Sequence, residues 1–120
     1  MPPLDIHLKR AYEAPAADDG LRILVERLWP RGLTKAEAAI DHWVKDVAPS
    51  PELRRWYGHR PERWPEFRKR YTAELDGNGA AVESLRALCR GRRVTFVFAA
   101  KDRERNGAVV LKDYFLSDAG

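Results

Sequence analysis

Val94-Thr95-Phe96-Val97-Phe98-Ala99-Ala100 decides the fold. The run is apolar almost throughout, does not alternate, and is filled by β-branched and aromatic residues. A strand without a polar face is buried on both sides, the mark of a central strand in a parallel sheet. Parallel neighbours need crossover connections, which are usually helical, so helices are expected on either side of this run in the chain. Both are legible. Upstream, Ala80 to Arg90 places Val82, Leu85, Leu88 and Cys89 on one helical face, and Gly91 stops it. Downstream, the charged segment Lys101 to Asn106 leads into an apolar helix over Asn106 to Leu116.

Further from the central run, Leu4 to Lys9 alternates, with Leu4, Ile6 and Leu8 on one face, and reads as a half-buried strand. Ala14 to Gly20 is a loop, and Leu21 to Leu28 is a second strand rich in Ile, Leu and Val. These two strands either pair antiparallel or stand apart in the sheet. Trp29-Pro30-Arg31-Gly32 ends the second strand, because Pro lacks an N–H and Gly tolerates any φ. Thr34 with Glu37 three residues on is a capping box. The helix it opens either runs to Val47, following Ile40, Trp43, Val44 and Val47, or gives way to a short strand around His42 to Lys45. Ser50-Pro51-Glu52 is an N-cap, a Pro at the first helical position and an acid on the positive end of the dipole. That helix should end at Gly58. Pro61 starts one turn, and Pro65 restarts a longer helix to Leu75 with Trp64, Phe67 and Tyr71 on its stripe. The expected fold is α/β: a single domain over residues 1–120, with a mostly parallel sheet of about three or four strands and helices on both faces.

The chain has 120 residues, 44% hydrophobic and 33% charged. That composition fits one globular core and needs no disulfide or metal staple. No apolar run approaches the roughly 18 residues of a membrane span, and the first ten residues have no signal-peptide core, so a cytoplasmic protein is expected. Cys89 is the one cysteine, which excludes an internal disulfide and any multi-cysteine metal site. The net charge of +4 is unevenly spread. Arg54 to Arg70 holds seven basic residues against two acids, and Arg90 to Arg105 holds six against two. Such stretches either solvate helix faces or form an anion-binding face.

Ligands of open α/β sheets bind beyond the carboxyl ends of the strands. Two segments fall there, Arg27 with Arg31 and Lys101 with Asp102 and Asn106, and Lys45 with Asp46 joins them if a strand ends near Lys45. Cations beside helix N-termini would receive an oxyanion or phosphate, the two aspartates would orient them, and Asn106 would fix the ligand or cap the last helix. Cys89 reads as a buried structural residue. His7, His42 and His59 have no mutual metal-ligand spacing. Phosphate-loop, dinucleotide, serine-hydrolase and zinc-protease motifs are absent, and no cofactor or metal is expected.

Leu24 to Leu33 (LVERLWPRGL), Trp43 to Ser50 (WVKDVAPS), Glu52 to His59 (ELRRWYGH) and Ala99 to Asp102 with Asn106 and Ala108 occur in this order. Together they resemble the YeaO-like branch of the domain-of-unknown-function family 488, over nearly the whole chain. Glu26 stands where the resemblance leads one to expect Asp, and Arg105-Asn106 where it leads one to expect a His- or Asn-rich pair. The resemblance implies a small α/β domain and tilts His42 to Lys45 toward strand. It implies no particular reaction. A transcription-regulator label of the winged-helix type, sometimes given to members, does not fit a buried strand at Val94 to Ala100.

Three functions follow. The leading one is binding, with or without turnover, of a small anionic or phosphorylated ligand at the carboxyl edge of the sheet by Arg27, Arg31, Lys45, Asp46, Lys101, Asp102 and Asn106. The second is a nucleic-acid-binding module, in which Arg54, Arg55, Arg63 and Lys69 contact phosphates and Trp56, Tyr57, Trp64 and Phe67 stack on bases. The third is a protein-interaction domain without chemistry, using the surface around Trp56 and Trp64.

Overall fold

The computed structural model describes residues 4–117. Its strands are β1 (Asp5–Arg10), β2 (Leu21–Leu24), β3 (His42–Trp43) and β4 (Arg93–Phe98). Its helices are α1 (Lys35–Ala38), α2 (Pro51–Tyr57), α3 (Trp64–Asp76), α4 (Gly79–Cys89) and α5 (Gly107–Ser117), with short 3-10 turns at Ala17–Asp19 and Pro61–Arg63. The four strands form one sheet in the order β1-β4-β2-β3, every pairing parallel.

β4 lies between β1 and β2, with Ile6 opposite Val94 on one side and Ile23 opposite Phe96 on the other. Val94 through Phe98 are all buried, as an unalternating strand requires. Val94, Phe96 and Phe98 join Ile6 and Ile23 on one face, covered by the apolar stripes of α2 to α5. Phe96 meets Phe115 of α5 edge to face at 5.9 Å. Cys89 of α4 belongs to this core, and burial pushes its thiol up to about 11. A protonated thiol in apolar surroundings is a packing residue.

The opposite face is covered more thinly. Leu24, Val97 and Ala11 form a small apolar cluster under Trp29, Leu33 and Ile40. Beside it lies a polar network around buried Arg22. Its guanidinium donates to Asp19 at 2.7 Å and to the Ala38 carbonyl at 2.8 Å. Asp19 also accepts from Lys9 at 3.1 Å and from the Ala16 N–H at 3.0 Å. Thr95 donates to the Asp19 carbonyl at 2.7 Å. The network satisfies polar groups that would otherwise be costly to bury, and it fixes α1 on this face. Helices therefore lie on both faces, as expected, but unequally.

One expectation needs adjusting, and two alternatives left open are decided. β2 stops at Leu24 rather than Leu28, because its neighbour β3 is only two residues long. The next free carbonyl, that of Glu26, is taken instead by the Trp43 indole N–H at 2.7 Å. β1 and β2 are parallel and separated by β4. The helix opened by Thr34 spans only Lys35–Ala38, since Ala39 turns left-handed at φ 50°. Residues 40–47 thus hold the strand alternative.

Local signals held elsewhere. Thr34 and Glu37 exchange both capping-box hydrogen bonds. The Ser50 hydroxyl accepts from the Leu53 N–H, and Gly58 ends α2 in the left-handed region.

Candidate functional site

In a sheet with all pairings parallel, every strand delivers its carboxyl end to the same edge. At that edge two arginines are committed to main-chain carbonyls. Arg10, ending β1, donates to Ala100 at 2.8 Å and Ala99 at 3.2 Å. Arg27, following β2, donates to Ala48 at 3.1 Å and Pro49 at 3.3 Å. The Tyr12 hydroxyl donates to the Arg31 carbonyl at 2.9 Å, and the Arg10 guanidinium lies 5.2 Å from the Tyr12 ring centre. The loops after β1, β2 and β4 are thereby tied to one another.

Glu26 sits between them. One carboxylate oxygen, Oε1, accepts the Ala99 N–H at 2.6 Å, joining the end of β2 to the end of β4. Burial pushes its pKa above the usual carboxylate value, against the Ala99 N–H and the charges of Arg54 and His59, which pull it down. Its second oxygen, Oε2, has no hydrogen-bond partner. Among the described residues no sealed-off side-chain oxygen or nitrogen lacks a partner, so Oε2 is open to solvent.

The charge of Arg54 acts on this carboxylate from α2, and that of His59 from the loop that follows, without a direct ion pair. Gly58 and His59 both adopt left-handed backbone, at φ 53° and 57°. That conformation is uncommon outside glycine, although histidine adopts it more readily than most residues, and here it leaves the His59 ring 6.3 Å from the Tyr57 ring. Tyr57 in turn donates to the Arg105 carbonyl at 3.0 Å, fastening α2 to the loop between β4 and α5. In that loop Asp102 accepts the N–H groups of Glu104 and Arg105, which hold its carboxyl below the usual range.

The residues singled out from the sequence take different places. Lys101 is exposed on the loop beside Ala99, and Arg31 is exposed on the loop tied to Tyr12; neither makes an ion pair. Asn106 caps α5, accepting the Val109 N–H and donating to the Asp102 carbonyl at 2.8 Å. Asp102 and Asn106 therefore shape the loop. Lys45 rests 4.0 Å from the Trp43 ring centre. Arg27 and Asp46 line a separate shallow cavity of about 480 Å³ with Asn78 and Ser84, at the start of α4. A second cavity, about 390 Å³, lies on the thinly covered face. The charges that line it are largely paired, Lys9 with Asp19 and Arg103 with Glu13. Among the described residues no group of His, Cys, Asp or Glu is arranged to hold a metal.

The basic segment is built differently from a stacking platform. Tyr57 and Phe67 are buried and stack on each other at 4.4 Å, with Trp64 5.7 Å from Phe67. Trp56 lies beside Arg63 at 5.1 Å and Arg70 at 4.4 Å. Arg55 and Lys69 are exposed, and Arg54 faces Glu26.

Sequence reasoning did not place Glu26 and His59 in the site, and it assigned Arg54 elsewhere. The signals for Glu26 were its place at a strand end and its standing where the family resemblance leads one to expect Asp. Its link to Ala99 joins positions 73 residues apart, which no local spacing encodes.

The family model for DUF488-N3i, described as the inactive DUF488-N3 subclade, matches residues 5–119. The chain belongs to the DUF488 family. Its DUF488 relatives include an uncharacterized protein of Mycobacterium tuberculosis strain H37Rv, Rv3073c, 46% identical over 106 residues that cover 88% of this chain and 89% of that one. Uncharacterized protein YeaO of Escherichia coli K12 is 37% identical over 114 residues, 95% of this chain and 99% of its own. No solved structure matches. The four motifs that suggested a YeaO-like DUF488 chain thus led to the right family.

Proposed function

We propose that this DUF488 chain binds a small anionic ligand, of the phosphate-ester kind, at the carboxyl edge of its sheet around Glu26. The observation that carries the reading is the state of the cations there. Arg31, Arg54 and Lys101 make no ion pair within 4 Å, though Arg103 and Arg105 of the β4–α5 loop are matched with Glu13 and Asp102 and Arg55, Lys69 and Arg92 away from this edge are also unpaired. It is their place around Glu26 and the strand ends that sets the three apart. Unpaired cations on the segments that follow the strands and on α2 are available to an incoming anion. Arg10 and Arg27 hold the loops that carry them, and Asp102 and Asn106 set the path of the β4–α5 loop. Lys45 adds positive charge at the rim. The description of the subclade as inactive supports binding without turnover. The inward packing of Tyr57 and Phe67 gives the nucleic-acid reading no comparable support.

A thermal-shift screen against phosphate, sulfate, sugar phosphates, nucleotides and short oligonucleotides tests this. An anion at about 100 times its dissociation constant stabilises by roughly 2.7 kcal/mol, several degrees for a chain of this size. Small anions are expected to shift the wild type, with the response lost in Arg54→Ala and Lys101→Ala. A shift by oligonucleotides alone, kept in both variants, overturns the reading.

A further inference from the structure

We infer that the ligand carries a hydroxyl or amine hydrogen-bond donor beside its anionic group, and that Glu26 Oε2 receives this donor. The inference rests on the anion-site reading above. Glu26 is fixed from two directions: its Oε1 by the Ala99 N–H at 2.6 Å, its carbonyl by the Trp43 indole at 2.7 Å. A side chain so held has little freedom left to lose on binding. Its second oxygen is solvent-reachable and makes no hydrogen bond. Of the other carboxylates at this end, Asp102 is spent on two backbone N–H groups and Glu13 on Arg103 and the Arg10 N–H, while Asp46 and Glu104 are open but are not anchored to a strand end as Glu26 is. The groups facing Glu26 from neighbouring elements are Arg54 and His59 on the α2 side, the Ala99 N–H from β4, and more distantly the Tyr71 hydroxyl from α3. None of them fills Oε2.

An immobile acceptor set among cations discriminates between ligands. A bare anion gains the cations but meets the carboxylate's repulsion. An anion with a donor a few bonds away gains both, because the donor turns the carboxylate into a partner. A hydrogen bond to a charged acceptor is worth about tenfold or more in affinity. The chemical class is therefore a hydroxylated or aminated phosphate ester. The dianion of a plain alkyl phosphate lacks the second group, and inorganic phosphate offers only its own P–OH.

The test is calorimetric titration of the whole chain with glycerol 3-phosphate and with n-propyl phosphate, which match in size and differ in two hydroxyls. The wild type is expected to favour glycerol 3-phosphate by about tenfold or more. Glu26→Gln keeps the shape and an oxygen for the Ala99 N–H but turns a donor toward the ligand. It is expected to bring the two affinities together, mainly by strengthening propyl phosphate. Circular dichroism confirms that the variant folds. Equal affinities in the wild type, or a preference that survives in Glu26→Gln, overturn the inference while leaving the anion site standing. Failure of both compounds to bind the wild type overturns the anion site and this inference with it.

Discussion

Glu26 couples the site to pH in a direction that follows from its surroundings. Its folded pKa is raised above the ordinary 4.5. Below 4.5 the carboxyl is protonated in both states, and its contribution to stability is fully present. As pH rises through the folded value, the unfolded chain has already released its proton and stability is lost. Glu26→Gln removes that loss, so it should melt higher than the wild type at pH 7, with the gain vanishing near pH 4. Melting curves at the two pH values check this; a uniform loss at both would mean that Glu26 serves packing alone. Gly20 illustrates a residue with no freedom of choice. Its φ is 67°, and a Cβ there would stand 2.2 Å from the Arg93 carbonyl oxygen, where β4 begins. Gly20→Ala must shift backbone and is expected to cost more than about 2 kcal/mol by denaturant unfolding. The glycine was visible in the sequence as a loop residue, but its close approach to a segment more than 70 positions away was not.

Among the elements, those governed by neighbours in sequence were legible. α2 begins and ends at its predicted residues because Ser50, Pro51 and Gly58 act within one turn of the chain. The turn at Pro61 and the longer helix after it follow from proline chemistry in the same way. Strand lengths depend on partners and were misjudged: β2 is short because β3 is, and β3 is short because Val44 leads straight into the Lys45 turn. Ser50 also reaches beyond its helix. Its hydroxyl donates to Glu74 of α3 at 2.6 Å while capping the Leu53 N–H at 3.1 Å. Ser50→Ala removes both, and the expected cost is about 1–2 kcal/mol. If the cap alone matters, Glu74→Gln will leave stability unchanged; a comparable loss in that variant assigns the larger share to the α2–α3 link.

For the molecule as a whole, the buried apolar run at Val94 to Phe98 announced a parallel sheet, but not that one face would be closed by charge. Arg22 reads locally as a polar residue in a strand, and only the arrival of Asp19, Ala38 and Lys9 explains its burial. Burial alone would raise the Asp19 pKa, but the Ala16 N–H, Lys9 and Arg22 outweigh it and hold it below 3.8. Its contribution is therefore present above 3.8 and lost as pH falls through the folded value. Asp19→Asn should cost about 3 kcal/mol at pH 7, since it leaves the buried guanidinium without its counter-charge, and less as pH falls through the folded value. The site follows the same pattern. A rule of topology singles out Arg31 and Lys101 as candidates beyond the strand ends, whereas the place of Glu26 depends on a contact between the ends of β2 and β4. The most direct test of the account is amide chemical-shift mapping during titration with glycerol 3-phosphate. Perturbations centred on Ala99, Lys101, Arg54 and His59 are predicted. Saturating ligand that leaves these amides unmoved, or moves only those of α3 or the α4 cavity, would contradict it.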